Sequence, residues 1–335
     1  MGGVSVSSSR KYDWDNDAPV TRKSAKQYSG DDGRVYTGYA SKGLKPPVPP
    51  VGMDITTDAF LPEIILLDVT GSMKSMPRLF LEKLATLYEE SNAVLHGYGP
   101  DEMKTKAGQV ADDLALSIIA VGDAHCDSHP LQVANFERRA GLINPINNIY
   151  PEGGGGGQAK ESYELALYYV MKHCKLPNLP QGAKPLLVVF GDEAFYDEVD
   201  KTYVKRLIGD DLKADIPTKD VIKELQKQYE IFVLRPELDY DADTYKMIHR
   251  TWESVLGPER VLKMQQPERV VDDIVGLNGI ISYNFKKAED VLRRRQTPKQ
   301  VDDVLKDLHP AASAAAAAAK PKAKMKRAAS KTKES

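Results

Sequence analysis

Cysteine, tryptophan and long apolar runs are scarce in this chain of 335 residues. Its 2 cysteines, Cys126 and Cys174, are too few for a disulfide scaffold, which excludes the small disulfide-stapled domains and favours a reducing compartment. No stretch approaches the roughly 20 apolar residues of a membrane-spanning helix, and residues 1–6 lack the apolar core of a signal peptide. We therefore expect an intracellular, cytoplasmic protein without a membrane span.

The composition is otherwise that of an ordinary globular protein, but its charge is unevenly distributed. With 41% hydrophobic and 28% charged residues, the chain can bury a sizeable core. The net charge of −2 hides a basic C-terminal tail from Lys320 onward and an acidic body before it. The tail has no aromatic residues, so we expect a solvated segment capable only of non-specific contact with nucleic acid or acidic surfaces.

The chain divides by composition into four regions. Residues 1–58 are rich in Ser, Gly, Asp and Pro, which predicts a disordered arm. Strand-like and helix-like segments alternate over residues 59–283, which predicts a single α/β domain. Residues 284–310 read as a helical extension that docks on the domain or on another subunit, and the Ala/Lys-rich residues 311–335 are predicted to be disordered.

The alternation predicts a three-layer α/β/α fold around a mainly parallel sheet. The second and third strand-like segments are too close for a crossover, so the third should form an antiparallel edge strand. Strands are predicted at 63–68, 114–122, 131–136, 185–190, 230–234 and 260–264, and helices at 76–91, 136–148, 159–174, 218–228, 241–255 and 267–282.

The most informative segment is an apolar run that ends in Asp68, Thr70 and Ser72, three oxygen-bearing side chains at alternate positions. A later apolar run ends in the same way at Asp192. The carboxyl ends of neighbouring parallel strands lie about 5 Å apart, so we expect these side chains to meet. Two carboxylates and two hydroxyls suit Mg²⁺ or Mn²⁺. The sequence therefore predicts a divalent-cation site at this edge of the sheet.

A run of five glycines, residues 153–157, precedes another helix-like segment. A phosphate-binding P-loop would need Lys directly after the last glycine. Here Gln158 and Ala159 separate the glycines from Lys160, so a phosphate site is not favoured. The glycines do allow the backbone to approach closely whatever lies at the sheet edge.

Together, these segments resemble the metal-ion-dependent adhesion site of a von Willebrand factor A-like domain over about residues 60–283. The matching stretches are Asp68-Val-Thr-Gly-Ser-Met, the glycine-rich loop before Glu161-Ser-Tyr-Glu-Leu-Ala-Leu, and Phe190-Gly-Asp-Glu. The resemblance implies a Rossmann-type fold and a non-enzymatic protein-binding module. It also implies that a bound Mg²⁺ or Mn²⁺ accepts a carboxylate from a protein partner, the ligands being Asp68, Thr70, Ser72 and Asp192.

One departure from that family concerns the loop, which usually offers a Thr as a further ligand and here has none. Gln158 and Glu161 are the candidates to replace it. Asp123, at the end of the second strand, is a candidate for a place near the cation. It opens the turn Asp123–His129, which contains His, Cys and two acids but lacks the second Cys or His pair of a structural zinc site.

Two other functions stay open. The turn after the first strand also resembles that of haloacid-dehalogenase-like phosphotransferases, in which Asp68 would attack phosphorus and Asp192 would help to hold Mg²⁺. Most such hydrolases carry a second acid where this chain has Thr70. Alternatively, the missing loop Thr suggests a structural assembly component with a metal-free relic site.

Overall fold

The computed structural model describes most of the predicted α/β domain and the C-terminal helices. The described residues are 48–95, 114–142, 145, 148–150, 159–238 and 241–331. Gln158 and the glycine run therefore lie outside them. Within these ranges, no helix combines the length and apolar character needed to cross a bilayer.

A six-stranded sheet forms the centre of the molecule. Its strands are β1 (Leu61–Asp68), β2 (Leu114–Val121), β3 (Leu131–Glu137), β4 (Leu186–Phe190), β5 (Glu230–Pro236) and β6 (Val261–Met264). They lie in the order β6-β5-β4-β1-β2-β3, and every neighbouring pair is parallel except β2 and β3. The predicted mainly parallel sheet with one antiparallel edge strand is thus confirmed.

β1 shows why the sheet is covered on both faces. Successive side chains of a strand point to opposite faces. Ile64 and Leu66 belong to one hydrophobic core, whereas Ile65 and Leu67 belong to the other, and all four are fully buried. A continuous apolar run is what a strand between two helical layers requires.

Nine helices occur within the described ranges and form the two outer layers. One core receives side chains from α1 (Met76–Glu82), α2 (Leu84–Leu95), α7 (Val270–Ile281), α8 (Phe285–Arg293) and α9 (Pro298–Lys331). The other core receives side chains from α3 (Tyr163–His173), α4 (Lys201–Leu207), α5 (Thr218–Gln228) and α6 (Ala242–Leu256). This arrangement is the predicted α/β/α sandwich.

Two helix predictions need correction, and one helix was not predicted. The helix predicted over 136–148 is wrong at its start, because β3 continues to Glu137, which pairs with β2 beyond a shift of register, and a 3-10 turn follows at Arg139–Leu142. The helix predicted over 76–91 is interrupted at Lys83, whose backbone N–H bonds to the carbonyl of Phe80. α4 was not predicted; its N-cap is Asp200, whose side chain accepts hydrogen bonds from the backbone amides of Thr202 and Tyr203.

The C-terminal helices pack on the domain rather than standing apart from it. Val291 on α8 and Val301 on α9 are buried in the core that α7 lines. Leu308 lies so close to Gly276 on α7 that a Cβ there would be 2.1 Å from its Cδ1. α9 continues as helix to Lys331, across residues for which we predicted disorder. The division of the chain into four regions stays a prediction.

The segment before β1 is also anchored to the domain. Ile55, within the predicted arm, is 1% exposed and pairs in parallel with Cys174. Both ring nitrogens of His173, the last residue of α3, lie near carboxylates: Nδ1 is 2.8 Å from Asp54 and Nε2 is 3.0 Å from Asp210. This histidine therefore fixes the point at which the preceding chain joins the domain.

Candidate metal centre

The candidate site lies where the strand order reverses. From β1 the chain continues to β2 and β3 on one side of the sheet, and then to β4, β5 and β6 on the other side. β1 and β4 are neighbours at the centre of the sheet. The helices that follow β1 contribute to one core, and those that follow β4 contribute to the other. Such a switch point leaves a crevice at the carboxyl ends of the two strands, where ligands of open α/β sheets bind. Asp68 ends β1 and Asp192 follows β4 by two residues.

The four predicted ligands form one continuous network in this crevice. Thr70 donates to Asp68 Oδ1 twice, from its backbone N–H at 2.9 Å and from its hydroxyl at 2.6 Å. Ser72 donates from its hydroxyl to Asp192 Oδ1 at 3.1 Å. The two hydroxyl oxygens are themselves 3.1 Å apart. The structure therefore brings Asp68, Thr70, Ser72 and Asp192 together, while their ligation of a metal stays a prediction.

The donor set fits a divalent cation. Each hydroxyl lies within hydrogen-bond distance of a carboxylate, and the two hydroxyls lie within hydrogen-bond distance of each other. Carboxylate and hydroxyl oxygens are ligands that Mg²⁺ and Mn²⁺ accept. Asp192 Oδ2 is buried and has no hydrogen-bond partner among the residues that the structure describes. Within the described ranges no three His, Cys, Asp or Glu side chains already form a metal cluster, so a cation would also use the two hydroxyls.

Burial has the largest effect on the electrostatics of the site's carboxylates. Burial raises the pKa of Asp68 to about 7, although hydrogen bonds from Thr70 and Tyr163 offset part of the effect. Burial, followed by the charge of Asp68, raises the pKa of Asp192 well above its usual range. A bound cation would favour the ionised forms and release protons, as metal binding to carboxylates generally does.

Tyr163 is a contributor that the sequence analysis missed. It is the first residue of α3 and fully buried, and its hydroxyl donates to Asp68 Oδ2. The close approach depends on Gly191, where a Cβ would lie 1.9 Å from the Tyr163 hydroxyl oxygen and 3.0 Å from the Cβ of Asp68. The available signal in the sequence was Gly191, a glycine between the buried strand β4 and Asp192.

Two further side chains hold the backbone after β4. Arg235 on β5 is fully buried and donates from Nη2 to the carbonyl of Asp192 at 2.7 Å. Trp252 on α6 donates from Nε1 to the carbonyl of Glu193 at 2.9 Å. Trp252 is 1% exposed, so it belongs to the core. Both contacts fix Asp192 from residues more than 40 positions away in the sequence.

Asp123 lies beside the network rather than in it. Its side chain is buried and accepts hydrogen bonds from the Tyr196 hydroxyl at 3.1 Å, the His125 backbone amide at 3.0 Å and the Cys126 thiol at 3.4 Å. Asp127, in the same turn, accepts from the backbone amide of Asp123 at 2.7 Å. Asp123 and Asp127 thus stabilise the turn and its contact with Tyr196.

Glu161, the other candidate, is 1% exposed. Burial, followed by the charge of Asp68, raises the pKa of Glu161 to about 11.

Two non-glycine residues near the site, Lys74 at φ 51° and Ala159 at φ 56°, have left-handed backbone. Backbone strain of this kind is concentrated at functional sites.

Comparison with known proteins gives structural neighbours only. No protein-family model matches the chain, and no curated protein matches it. The solved structures that match include the open pilus adhesin SpaC of Lactobacillus rhamnosus GG, with a TM-score of 0.43 and 13% identity over 73% of this chain. They also include a von Willebrand factor type A protein of Catenulispora acidiphila, with a TM-score of 0.36 and 13% identity over 72% of this chain. The fold resembles that of von Willebrand factor A domains.

A third neighbour is proximal thread matrix protein 1 of the mussel byssus, solved with zinc in its MIDAS motif, with a TM-score of 0.41 and 11% identity over 65% of this chain. This chain spans 31% of SpaC, 51% of the Catenulispora protein and 46% of the byssus protein. The overlaps are partial and the identities low, so function is inferred from the chain's own residues.

Proposed function

We propose that this protein is a non-enzymatic binding module that engages a protein partner through a divalent cation, Mg²⁺ or Mn²⁺. The cation would be held by Asp68, Thr70, Ser72 and Asp192 at the carboxyl edge of the sheet. The observation that carries the proposal is the convergence of these four oxygen-bearing side chains in one hydrogen-bonded network, in which the buried Asp192 Oδ2 has no partner among the described residues. A carboxylate of the partner would complete the coordination shell.

The structure favours this function over phosphoryl transfer. A nucleophilic aspartate needs an oxygen free to attack phosphorus. Asp68 is fully buried, its Oδ1 accepts from Thr70, and its Oδ2 accepts from Tyr163. These hydrogen bonds suit a residue that organises other ligands better than one that attacks a substrate.

The location of the partner follows from the sequence analysis. Both cysteines are free thiols, one exposed and one half-buried, as in a reducing compartment. We therefore propose an intracellular partner that presents an Asp or Glu side chain. Non-specific contact through the basic tail stays a prediction.

Calorimetric titration of the full chain with MgCl₂ and MnCl₂, followed by affinity capture with and without EDTA, tests the proposal. We expect saturable binding of one cation, and capture of a partner that EDTA abolishes. Asp192→Ala should remove both. Capture that is insensitive to EDTA, with no cation binding, would instead support a structural component with a relic site. Phosphate release from a generic phosphoester that is lost in Asp68→Asn would support the phosphotransferase.

A further inference from the structure

A cluster of titratable side chains outside the candidate metal centre joins the entering segment, residues 48–57, to the domain. At its centre is His173, the last residue of α3, whose side chain is 13% exposed. Its Nδ1 lies 2.8 Å from Oδ1 of Asp54, on the entering segment, and its Nε2 lies 3.0 Å from Oδ2 of Asp210, in the turn after α4. One imidazole thus bridges two carboxylates from different parts of the chain.

The two contacts of His173 depend on the protonation of its ring. A neutral imidazole has one N–H donor and one bare nitrogen, whereas an imidazolium has two N–H donors. Because an ionised carboxylate only accepts hydrogen bonds, both contacts form together only when the ring carries both protons. When the ring loses one proton, the lone pair of a bare nitrogen faces a carboxylate oxygen and that contact is lost. The bridge is therefore complete only when the histidine is charged.

Asp210 is held in its ionised form, ready to accept. Its Oδ2 also accepts a hydrogen bond from the Tyr168 hydroxyl at 2.7 Å, and burial raises the pKa of Tyr168, so this hydroxyl stays a donor. Partial burial acts to raise the pKa of Asp210, but the hydrogen bonds from Tyr168 and His173 outweigh it and hold that pKa below its ordinary value. Histidine side chains change charge between about pH 5 and 8, and Asp210 is a carboxylate throughout that range.

The other groups around the ring keep their charge over the same range. The titratable and charged groups here are Asp54 of the entering segment, Asp210 of the turn after α4, and Tyr168, Tyr169, Lys172, Cys174 and Lys175 of α3 and the residues after it. The Tyr169 ring stacks on the imidazole with the two centroids 5.2 Å apart, and burial raises its pKa. Burial also raises the pKa of the Cys174 thiol to about 11. Among the groups named, only the histidine therefore changes charge between about pH 5 and 8.

The bridge holds a short stretch of chain that lies across the end of α3. Before Asp54, the Tyr169 hydroxyl donates to the Met53 carbonyl at 3.0 Å, and after it Ile55 pairs with Cys174. The side chain of Asp54 is itself 51% exposed, so water can replace the ring as its partner. A short surface stretch of this kind opens at a lower free energy than the central sheet does.

We propose that His173 is a pH-dependent clasp, which holds the entering segment on the domain when its ring is protonated and loosens the segment when the ring is neutral. Both carboxylates favour the charged ring. The closed clasp is therefore most stable at acid pH and loses this stabilisation as the pH rises through the range in which histidine is deprotonated. The clasp contains none of the proposed cation ligands, so it is independent of the proposed function.

Hydrogen–deuterium exchange of the full chain at pH 5.5 and pH 7.5 tests the clasp, with the backbone amides of Gly52, Thr56 and Thr57 as reporters. Each of these amides donates a hydrogen bond in the folded protein. His173→Gln resembles a ring that stays neutral, because its amide group donates hydrogen bonds but is never charged. The wild type should protect the reporters about fivefold better than this variant at pH 5.5, and equally well at pH 7.5. Comparing the two proteins at each pH cancels the intrinsic pH dependence of exchange.

Two further variants separate the clasp from a general loss of structure. Asp54→Asn changes a half-exposed side chain outside the core, and it should lower protection at pH 5.5 as His173→Gln does. His249 is the matched control, because its Nε2 also lies near a carboxylate, that of Glu253 at 3.3 Å, but burial lowers its pKa to about 4. His249→Gln should therefore leave the reporters unchanged at both pH values.

Two results would overturn the clasp. Equal loss of protection at both pH values in His173→Gln would show that the ring only packs against Tyr169. Wild-type protection at pH 5.5 in both His173→Gln and Asp54→Asn would show that the bridge does not hold the segment. A loss confined to pH 5.5 in both variants, with His249→Gln unchanged, would establish it.

Discussion

The two ends of β1 each contain a buried acid, and only one of them belongs to a candidate site. Glu63, near the amino end, has no partner among the described residues that meets the hydrogen-bond geometry on either carboxylate oxygen, although a weaker contact with Asn278 offsets part of its raised pKa. Asp68, at the carboxyl end, accepts from Thr70 and Tyr163. Burial raises the pKa of both acids. The difference teaches that a perturbed carboxylate marks a site only where other oxygen ligands are arranged around it.

The largest expected effect is on Mn²⁺ affinity, which should depend on Asp68 and not on Glu63. Asp68→Asn should lower Mn²⁺ affinity at least about 100-fold, since loss of groups that merely orient a ligand already costs 10 to 100-fold. Glu63→Gln should leave the affinity unchanged. Titration calorimetry on both variants measures this contrast, and equal losses in the two would place the cation elsewhere.

The next effect concerns stability, and here Glu63 is the acid whose replacement should have the effect. Burial raises the pKa of Glu63 to about 8 from an ordinary value of 4.5. The folded state therefore holds this proton while the unfolded state releases it, so the free energy of unfolding falls by up to about 1.4 kcal/mol per pH unit between those values. The contribution is fully present below pH 4.5 and is lost as the pH rises to about 8.

Glu63→Gln should remove this slope. Urea unfolding of the metal-free wild type and variant at pH 4 and pH 8 should show similar stabilities at the lower pH and a more stable variant at the higher pH. A constant difference between the two proteins across this range would show that Glu63 does not titrate as described.

A third prediction tests the close packing of Gly191 against Tyr163, which is needed at the carboxyl end of β1 but not at its amino end. Gly191→Ala would place a Cβ 1.9 Å from the Tyr163 hydroxyl oxygen, so we expect a loss of about 2 kcal/mol in stability and weaker Mn²⁺ binding. Adding Tyr163→Phe removes that oxygen and should restore part of the stability. Thermal and urea unfolding of the single and double variants measure both effects, and a stable Gly191→Ala protein would contradict the contact.

The smallest effect is expected from Tyr163→Phe alone. The variant removes one hydrogen bond to Asp68, which is worth about 1 kcal/mol, so Mn²⁺ affinity should fall by less than about tenfold. Tyr229→Phe, in a tyrosine that is also buried but packs in the other part of the same core, is a control with unchanged affinity. Equal effects of the two variants would remove Tyr163 from the site.

The sequence predicts the parts of this molecule that short-range patterns encode. Continuous apolar runs identify the strands, and the oxygen side chains that follow two of them indicate where the strand ends meet. α4 escaped prediction because its first turn depends on a local cap at Asp200 rather than on a long apolar stripe. The apolar spacing after Leu131 resembled a helix, but pairing with β2 extends the strand to Glu137.

The supporting contacts of the site could not be predicted in the same way. Tyr163 reads as an ordinary apolar residue at a helix start, and only the fold places its hydroxyl beside Asp68, 95 positions earlier in the sequence. Arg235 and Asp192 are likewise joined only by the pairing of β5 with β4. Partners across a sheet edge depend on strand order, which no local pattern specifies.

The length of α3 sets a distance between two attachments. The helix begins at Tyr163, which contacts Asp68, and ends at His173, which pairs with Asp54 on the segment that enters the domain. At a rise of 1.5 Å per residue, these two residues are about 15 Å apart along the helix. The contact with Asp68 and the contact with Asp54 are therefore held at opposite ends of one helix.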